Sequence, residues 1–239
     1  MSIDPVRCWA VLPAAGIGAR MAERLPKQYL EIAGATLLEH SLRALLASND
    51  IAGVVVALHA QDSRAENIGL LHDPRVITTT GGAQRRDSVL AGLAALSEMA
   101  GAQDWVLVHD AARPCLPLAD LEKLMAWVLA NGEGAILAEA IVDTVKQDDG
   151  KGRIQRTLDR NSLWRAQTPQ MFRLGALRHA LEEATRQDLE ITDEASAMEL
   201  AGETVQLVAG SPCNLKVTIP ADLELAAWYL DRQFSDNTA

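Results

Sequence analysis

The chain has 239 residues, of which 49% are apolar and 23% are charged, and its formal net charge is −10. This length suffices for one large α/β domain or two small ones, and the acidic balance argues against a general nucleic-acid surface. Its three cysteines are far apart, as is typical of reduced thiols, and the sequence has neither a secretory signal nor a membrane-spanning run. We therefore expect a cytoplasmic, water-soluble protein with no nucleic-acid and no membrane partner.

Short apolar or β-branched runs alternate along the chain with longer segments of helical periodicity. The predicted strands are residues 7–12, 53–58, 75–79, 105–109, 135–141 and 204–208. The predicted helices are residues 36–48, 88–99, 118–129, 174–184 and 221–230, the last preceded by Pro220. Such alternation predicts a mostly parallel sheet with helices on both faces, and ligands of these sheets bind at the carboxyl ends of the strands.

The segment after the first predicted strand is suited to binding phosphate. Its small residues, which allow backbone N–H groups to approach an anion, are Pro13, Ala14, Ala15, Gly16 and Gly18. Arg20 and Lys27 add positive charge to the same place. A purely structural turn is the alternative.

Two other kinds of glycine-rich loop do not fit this segment. A dinucleotide fingerprint needs a third glycine where Met21 stands and an acidic residue near the end of the second strand, where His59 stands. A Walker-type loop needs Gly-Lys followed by Ser or Thr, and this segment lacks that series.

Two later strands end in polar residues at the predicted ligand edge. Gly81 and Gly82 follow one strand, and Ser88 either contacts a base or ribose or is the N-cap of the next helix. Asp110 and Arg113 follow another strand. Asp110 is suited to a ribose hydroxyl or a hydrated magnesium ion and Arg113 to an anionic substrate, unless the pair serves only to hold its own loop.

The segment 143–160 breaks the alternation because charges recur there at nearly every second position. Asp149-Gly150 is typical of a hairpin turn, and Ile154, Arg156 and Leu158 alternate with polar residues as in a strand. We predict a β-hairpin, either a solvated surface feature or a subunit interface, since an isolated two-stranded ribbon is marginally stable.

Two further positions complete the candidates. Residues 214–218 are predicted as a further short strand in which Lys216 is the exception to an apolar pattern, and this lysine either extends to solvent or supplies another cation to a polyphosphate. Thr192 and Asp193 have the pattern of a helix start.

Together these segments make the chain resemble the 2-C-methyl-D-erythritol 4-phosphate cytidylyltransferase family over nearly its whole length. The motifs that carry the resemblance are residues 13–21 with 26–29, 109–114, 159–161 with 168–170, 192–196 and 214–218. The first is shared by many nucleotidyltransferases, and the later ones are more specific. The resemblance implies a Rossmann-like nucleotidyltransferase fold, a single domain over residues 1–239 with residues 142–164 as a projecting β-arm. The implied enzyme joins CTP to 2-C-methyl-D-erythritol 4-phosphate and releases pyrophosphate in the non-mevalonate route to isoprenoid precursors.

The resemblance also implies roles for individual residues. The catalytic residues that hold the triphosphate would be Arg20, Lys27 and Lys216. The nucleotide-binding residues would be Pro13, Ala14, Ala15, Gly16, Gly18, Gly82, Ser88, Asp110 and Ala111. The residues on the acceptor side would be Arg113, Thr144, Arg160, Thr168 and Thr192. Whether Asp110 contacts ribose, metal or acceptor stays open.

A divalent metal and a second subunit are implied as well. Mg²⁺ would be held mainly by the CTP phosphates, without a dedicated protein ligand. The arm would form a homodimer and carry Thr144 and Arg160 to the partner's site. The acceptor phosphate is itself a nucleophile, so the reaction needs no general base.

Three alternatives remain at the level of the sequence. The chain could act on another polyol phosphate such as ribitol 5-phosphate, bind a nucleotide for regulation without catalysis, or be a dinucleotide oxidoreductase. Met21 disfavours the last of these.

Overall fold

The structure is a computed structural model, and it describes residues 6–16 and 25–236. The strands in these residues are β1 (Cys8–Pro13), β2 (Glu31–Ile32), β3 (Ala35–Thr36), β4 (Ile51–Leu58), β5 (Val76–Thr80), β6 (Trp105–Val108), β7 (Ala135–Ala140), β8 (Val145–Asp148), β9 (Ile154–Leu158), β10 (Trp164–Arg173) and β11 (Gln206–Ala209). The α-helices are α1 (Leu37–Leu46), α2 (Arg85–Leu96), α3 (Leu118–Asn131), α4 (Leu174–Arg186), α5 (Glu194–Leu200) and α6 (Pro220–Asp236). Arg20 and Gly18 lie outside the described residues.

One mixed sheet organises the described part of the chain. Its seven strands there run in the order β11-β7-β10-β6-β1-β4-β5. All neighbouring pairs are parallel except the two that β10 makes with β6 and β7. The prediction of a mostly parallel sheet is confirmed, and the six strands predicted from the alternation all occur with shifts of at most two residues at their ends.

Apolar side chains on alternate positions of the strands bury both faces of this sheet. On β4, Val54 and Val56 belong to the core that α1 and α3 cover, whereas Val55 belongs to the core that α2 and α4 cover. Each such buried side chain contributes roughly 1.5–3 kcal/mol to the free energy of unfolding. The packing fixes the carboxyl ends of β1, β5 and β6 at one edge of the sheet.

Strand β10, which lies between β6 and β7 in the sheet, is absent from the strands predicted from the sequence. Proline is normally depleted inside strands because it cannot donate to the ladder. Pro169 is tolerated because the pairing of β10 with β7 is interrupted between Ala166 and Gln170. This strand carries Thr168 into the centre of the sheet.

Two predicted placements are wrong. Helix α2 begins at Arg85 with Gln84 as its N-cap, so Ser88 lies within the helix and is not its cap. Lys216 lies in an irregular segment after β11 and not in a strand, because residues 214–218 pair with no strand of the sheet.

Strands β8 and β9 form a hairpin that is separate from the main sheet. The turn contains Gly150 in a left-handed conformation with φ of 76°, and the Asp149 carboxylate accepts a hydrogen bond from the Lys151 N–H at 2.9 Å. The predicted hairpin is confirmed. Its side chains are mostly exposed, including Ile154 at 68%.

Candidate active site

Four segments meet at the carboxyl edge of the sheet and line a cleft. They are the loop after β1, the loop after β5, the loop after β6 and the segment that contains Lys216. The cleft continues past Asp110 toward a second hollow beside β10 and the start of α5. Its two halves therefore share Asp110, Arg85 and Lys216.

The first half contains the phosphate-loop residues that the structure describes. The main chain leaves β1 with Ala14 donating to the carbonyl of Ala57 at 2.8 Å, and the Gln28 side chain donates to the carbonyl of Ala14 at 2.7 Å. Lys27 Nζ lies 2.6 Å from the carbonyl oxygen of Val217. Lys27 is thus linked to the segment that carries Lys216, although 189 positions (216 minus 27) separate the two lysines.

The loop after β5 approaches the loop after β1 closely. A Cβ atom on Gly81 would lie 2.6 Å from the Cβ of Ala15, so this contact requires glycine. The buried Ser88 hydroxyl oxygen accepts a hydrogen bond from the Gly82 N–H at 3.2 Å and lies 3.2 Å from the Gln84 carbonyl. Ser88 therefore shapes the glycine loop from inside α2.

Asp110 is the centre of a buried charge cluster. Its Oδ1 lies 2.8 Å from Arg85 Nε and its Oδ2 lies 2.8 Å from Lys216 Nζ. Burial alone would raise the pKa of the Asp110 carboxyl, but the charges of Arg85, Lys216 and Arg113 hold it well below its ordinary value. Asp110 is consequently ionised at neutral pH.

Behind Asp110, a chain of hydrogen bonds fixes the loop. His109 Nε2 lies 3.1 Å from the carbonyl oxygen of Arg113, which accepts only, so the neutral ring carries its proton on Nε2. Nδ1 then accepts from the Thr168 hydroxyl at 3.0 Å, and the Thr168 oxygen accepts from the Asp110 N–H at 3.0 Å. Burial lowers the pKa of His109 to about 4, which keeps the ring neutral.

The second half of the cleft brings Arg113, Thr168 and Thr192 together. Arg113 is buried and donates to the carbonyl oxygens of Asn214 at 2.7 Å and Ala166 at 3.2 Å. Its Nε is buried without a hydrogen-bond partner. Burial lowers the pKa of the Arg113 guanidinium.

Thr192 lies exposed just before α5. Its N–H donates to Ser196 Oγ at 3.1 Å, and Asp193 is the N-cap of the helix, as predicted. Thr144 and Arg160 are the two proposed acceptor residues that do not line this cleft in the single chain. Both are exposed at the base of the hairpin, where Arg160 donates to the carbonyl of Val142.

Arg85 and Glu194 belong to the site, but neither was predicted as a site residue from the sequence. Arg85 donates through both terminal nitrogens to the two oxygens of Glu194, at 2.7 and 2.9 Å. Burial disfavours the charged form of Arg85, but the carboxylates of Asp110 and Glu194 outweigh it and raise the pKa of the guanidinium. The signal available was the position of Arg85 beside the glycine loop and of Glu194 within the motif 192–196.

Comparisons with known proteins identify the family. The family model for IspD, 2-C-methyl-D-erythritol 4-phosphate cytidylyltransferase, matches residues 8–232. The chain belongs to this family. It is 51% identical over 217 residues to the 2-C-methyl-D-erythritol 4-phosphate cytidylyltransferase of Pseudomonas putida (strain GB-1), covering 90% of this chain and 92% of the relative. It is also 51% identical to the 2-C-methyl-D-erythritol 4-phosphate cytidylyltransferase of Aeromonas hydrophila, and the match covers 94% of this chain and 90% of that relative.

Solved structures of the IspD family have the same fold. A crystal structure of a 4-diphosphocytidyl-2C-methyl-D-erythritol synthase superposes with a TM-score of 0.82 at 37% identity, over 95% of this chain and 99% of that one. The Francisella tularensis IspD structure superposes with a TM-score of 0.80 at 34% identity, and the match covers 93% of this chain and 99% of that one. The chain is therefore an enzyme, a nucleotidyltransferase of the non-mevalonate isoprenoid pathway with 2-C-methyl-D-erythritol 4-phosphate cytidylyltransferase activity.

Residues 6–16 and 25–236 contain no group of three or more histidine, cysteine, aspartate or glutamate side chains arranged to hold a metal ion. Within the same residues, no helix has the length and apolar character needed to cross a membrane.

Proposed function

We propose that the cleft at the carboxyl edge of the sheet is where the acceptor phosphate of 2-C-methyl-D-erythritol 4-phosphate attacks the α-phosphorus of CTP. Pyrophosphate leaves as the new phosphoanhydride bond forms. The observation that carries the proposal is that Lys27 and Lys216 both line the nucleotide half beside the phosphate loop, and that Lys216 also lines the second half. CTP would occupy the first half and the acceptor the second.

Charge neutralisation is the main task of the protein in this reaction. The α-phosphorus passes through a five-coordinate arrangement in which negative charge spreads over its oxygens. We propose that Lys27, Lys216 and Arg20 bind the triphosphate and stabilise that charge. Lys216 would keep its contact with Asp110 and donate another of its three N–H groups to a phosphate oxygen.

We propose that Arg113, Thr168 and Thr192 orient the acceptor. The buried Arg113 Nε makes no hydrogen bond and lies 3.9 Å from Asp110 Oδ2, so it is suited to an anionic group at that point. The Thr168 hydroxyl proton is committed to His109, so Thr168 would offer its remaining oxygen lone pair to an acceptor hydroxyl.

We propose a direct displacement with no enzyme-bound intermediate. Ser88 is the one hydroxyl or thiol side chain among the described residues that line the nucleotide half, and its oxygen is buried against the glycine loop. An acceptor phosphate is largely dianionic at neutral pH and needs no activating base. The remaining requirement is an in-line arrangement of the attacking and leaving oxygens.

Magnesium would enter bound to CTP. Asp110 is the only carboxylate in the described lining of the nucleotide half, and both its oxygens already contact cations. A metal held mainly by phosphate oxygens and water fits this donor set better than one held by the protein, and it would add to the neutralisation at the α-phosphorus.

We further propose one domain with a dimerisation arm. The exposed hairpin has Ile154 at 68% and Val142 at 74% exposure, which a second subunit would cover. Thr144 and Arg160 at its base would then contact the acceptor in the partner's cleft.

The substrate assignment is tested by pyrophosphate release with the four nucleoside triphosphates and with two acceptors, 2-C-methyl-D-erythritol 4-phosphate and ribitol 5-phosphate. We expect release only with CTP and the methylerythritol phosphate. Faster release with ribitol 5-phosphate would overturn the acceptor assignment, and no release with any pair would overturn catalysis at this cleft.

A further inference from the structure

Glu194 is a buried carboxylate that the chemistry proposed above does not use. It is the first residue of α5, its side chain is 1% exposed, and both of its oxygens are bound by Arg85. A buried carboxylate persists only where paired and hydrogen-bonded, so Glu194 and Arg85 depend on each other. Any effect of Glu194 on catalysis must pass through Arg85.

The geometry of Arg85 decides what remains free on Asp110. A guanidinium that faces a single carboxylate commonly uses two parallel N–H groups and binds both oxygens. Arg85 instead reaches Asp110 only through Nε, 2.8 Å from Oδ1, because the end-on pairing of its terminal nitrogens with Glu194 fixes the direction in which the guanidinium faces Asp110. The second oxygen, Oδ2, lies 2.8 Å from Lys216 Nζ and 3.9 Å from Arg113 Nε, so the lysine is its hydrogen-bonded cation.

We infer that Glu194 is a positioning residue for Lys216: by binding both terminal nitrogens of Arg85 end-on, it holds that guanidinium in the orientation that engages one oxygen of Asp110 and leaves the other to the lysine. This inference rests on the proposed role of Lys216 at the triphosphate. It predicts a defined consequence when Glu194 loses its charge, which is that Arg85 turns toward Asp110 and displaces Lys216.

The first test is Glu194→Gln, which keeps the volume of the side chain but leaves one acceptor for two N–H donors of Arg85. We expect kcat to fall by roughly 10-fold or more, the size of one lost charge-assisted hydrogen bond. The matched control is Glu182→Gln, which makes the same change in an exposed ion pair with Arg178 on α4. We expect that variant to keep the kcat of the unaltered chain.

The second test separates positioning from stability. In Arg85→Gln/Glu194→Gln the competing guanidinium is gone, so Lys216 returns to Asp110 and kcat rises well above that of Glu194→Gln. Every kcat is expressed per folded molecule, at a temperature at which melting curves show each variant folded. A merely structural ion pair would change the melting temperature and leave these kcat values equal.

Glu194→Asp keeps the charge and reaches one terminal nitrogen, so we expect a smaller loss of kcat than with glutamine. It takes the place of Glu194→Gln if that variant does not fold, and an unchanged kcat in it overturns the inference. The inference is also overturned if the kcat of Glu194→Gln lies within twofold of that of the unaltered chain. It is overturned as well if the kcat of Arg85→Gln/Glu194→Gln is no higher than that of Glu194→Gln. The proposed function fails separately, if the unaltered chain itself releases no pyrophosphate from CTP and 2-C-methyl-D-erythritol 4-phosphate.

Discussion

Acidification should lower the free energy of unfolding because His109 is buried in its neutral form. Burial lowers the pKa of this histidine from 6.5 to about 4, and its two ring nitrogens are held by Thr168 and the carbonyl of Arg113. The unfolded chain binds a proton at pH 5 and the folded chain does not, so stability is fully present above pH 6.5 and is lost as the pH falls toward 4. Between pH 7 and pH 5 the loss amounts to about 2 kcal/mol.

The assay is urea unfolding at pH 7 and pH 5, with His109→Gln as the comparison. Glutamine does not titrate, so the free energy of unfolding of the variant should fall less than that of the unaltered chain, by about 2 kcal/mol. Burial also lowers the pKa of His40, but that histidine is present in both proteins, so its contribution to the free energy of unfolding cancels in the comparison. The pKa of Asp110 lies far below this window. Equal losses in the two proteins would refute the placement of a neutral histidine behind Asp110.

Three further predictions concern the site. Lys27→Ala and Lys216→Ala should each lower kcat by a factor on the order of 100 or more with the fold intact, and near-normal turnover in either would remove that lysine from the mechanism. Thr192→Val should raise KM for the acceptor more than KM for CTP, whereas unchanged constants would leave the residue a structural part of the helix start. Mixed Lys27→Ala and Arg160→Ala subunits should recover roughly a quarter of native activity, since about half the dimers are mixed and each has one intact site. If the subunits are shown to exchange and the mixture is no more active than the two separate variants, each site is built within one chain.

Much of the scaffold was predictable from the sequence because the signals were local. The strands β1, β4 and β6 are short apolar runs, and α1, α3 and α4 have apolar residues at helical spacing. Strand β10 was not predictable in this way, since its proline and polar residues are acceptable only where its ladder is interrupted.

The residues of the candidate site likewise fall into those that the sequence predicted and those that it did not. Lys27, Asp110 and Lys216 stand out as charges beside small or apolar residues, so their function could be proposed from the sequence. Arg85 and Glu194 are 109 residues apart, and each is an ordinary surface residue until the fold buries it against the other. The restriction that Glu194 places on Arg85 is a property of three-dimensional geometry, which no local pattern encodes.

The central claim is a direct attack of the acceptor phosphate on the α-phosphorus, and stereochemistry tests it most directly. CTP with a sulfur-marked chiral α-phosphorus is converted with 2-C-methyl-D-erythritol 4-phosphate, and the configuration of the product is determined. A single in-line displacement inverts that configuration, which is the result we predict. Retention would mean two successive displacements through a group on the enzyme, and it would contradict the account.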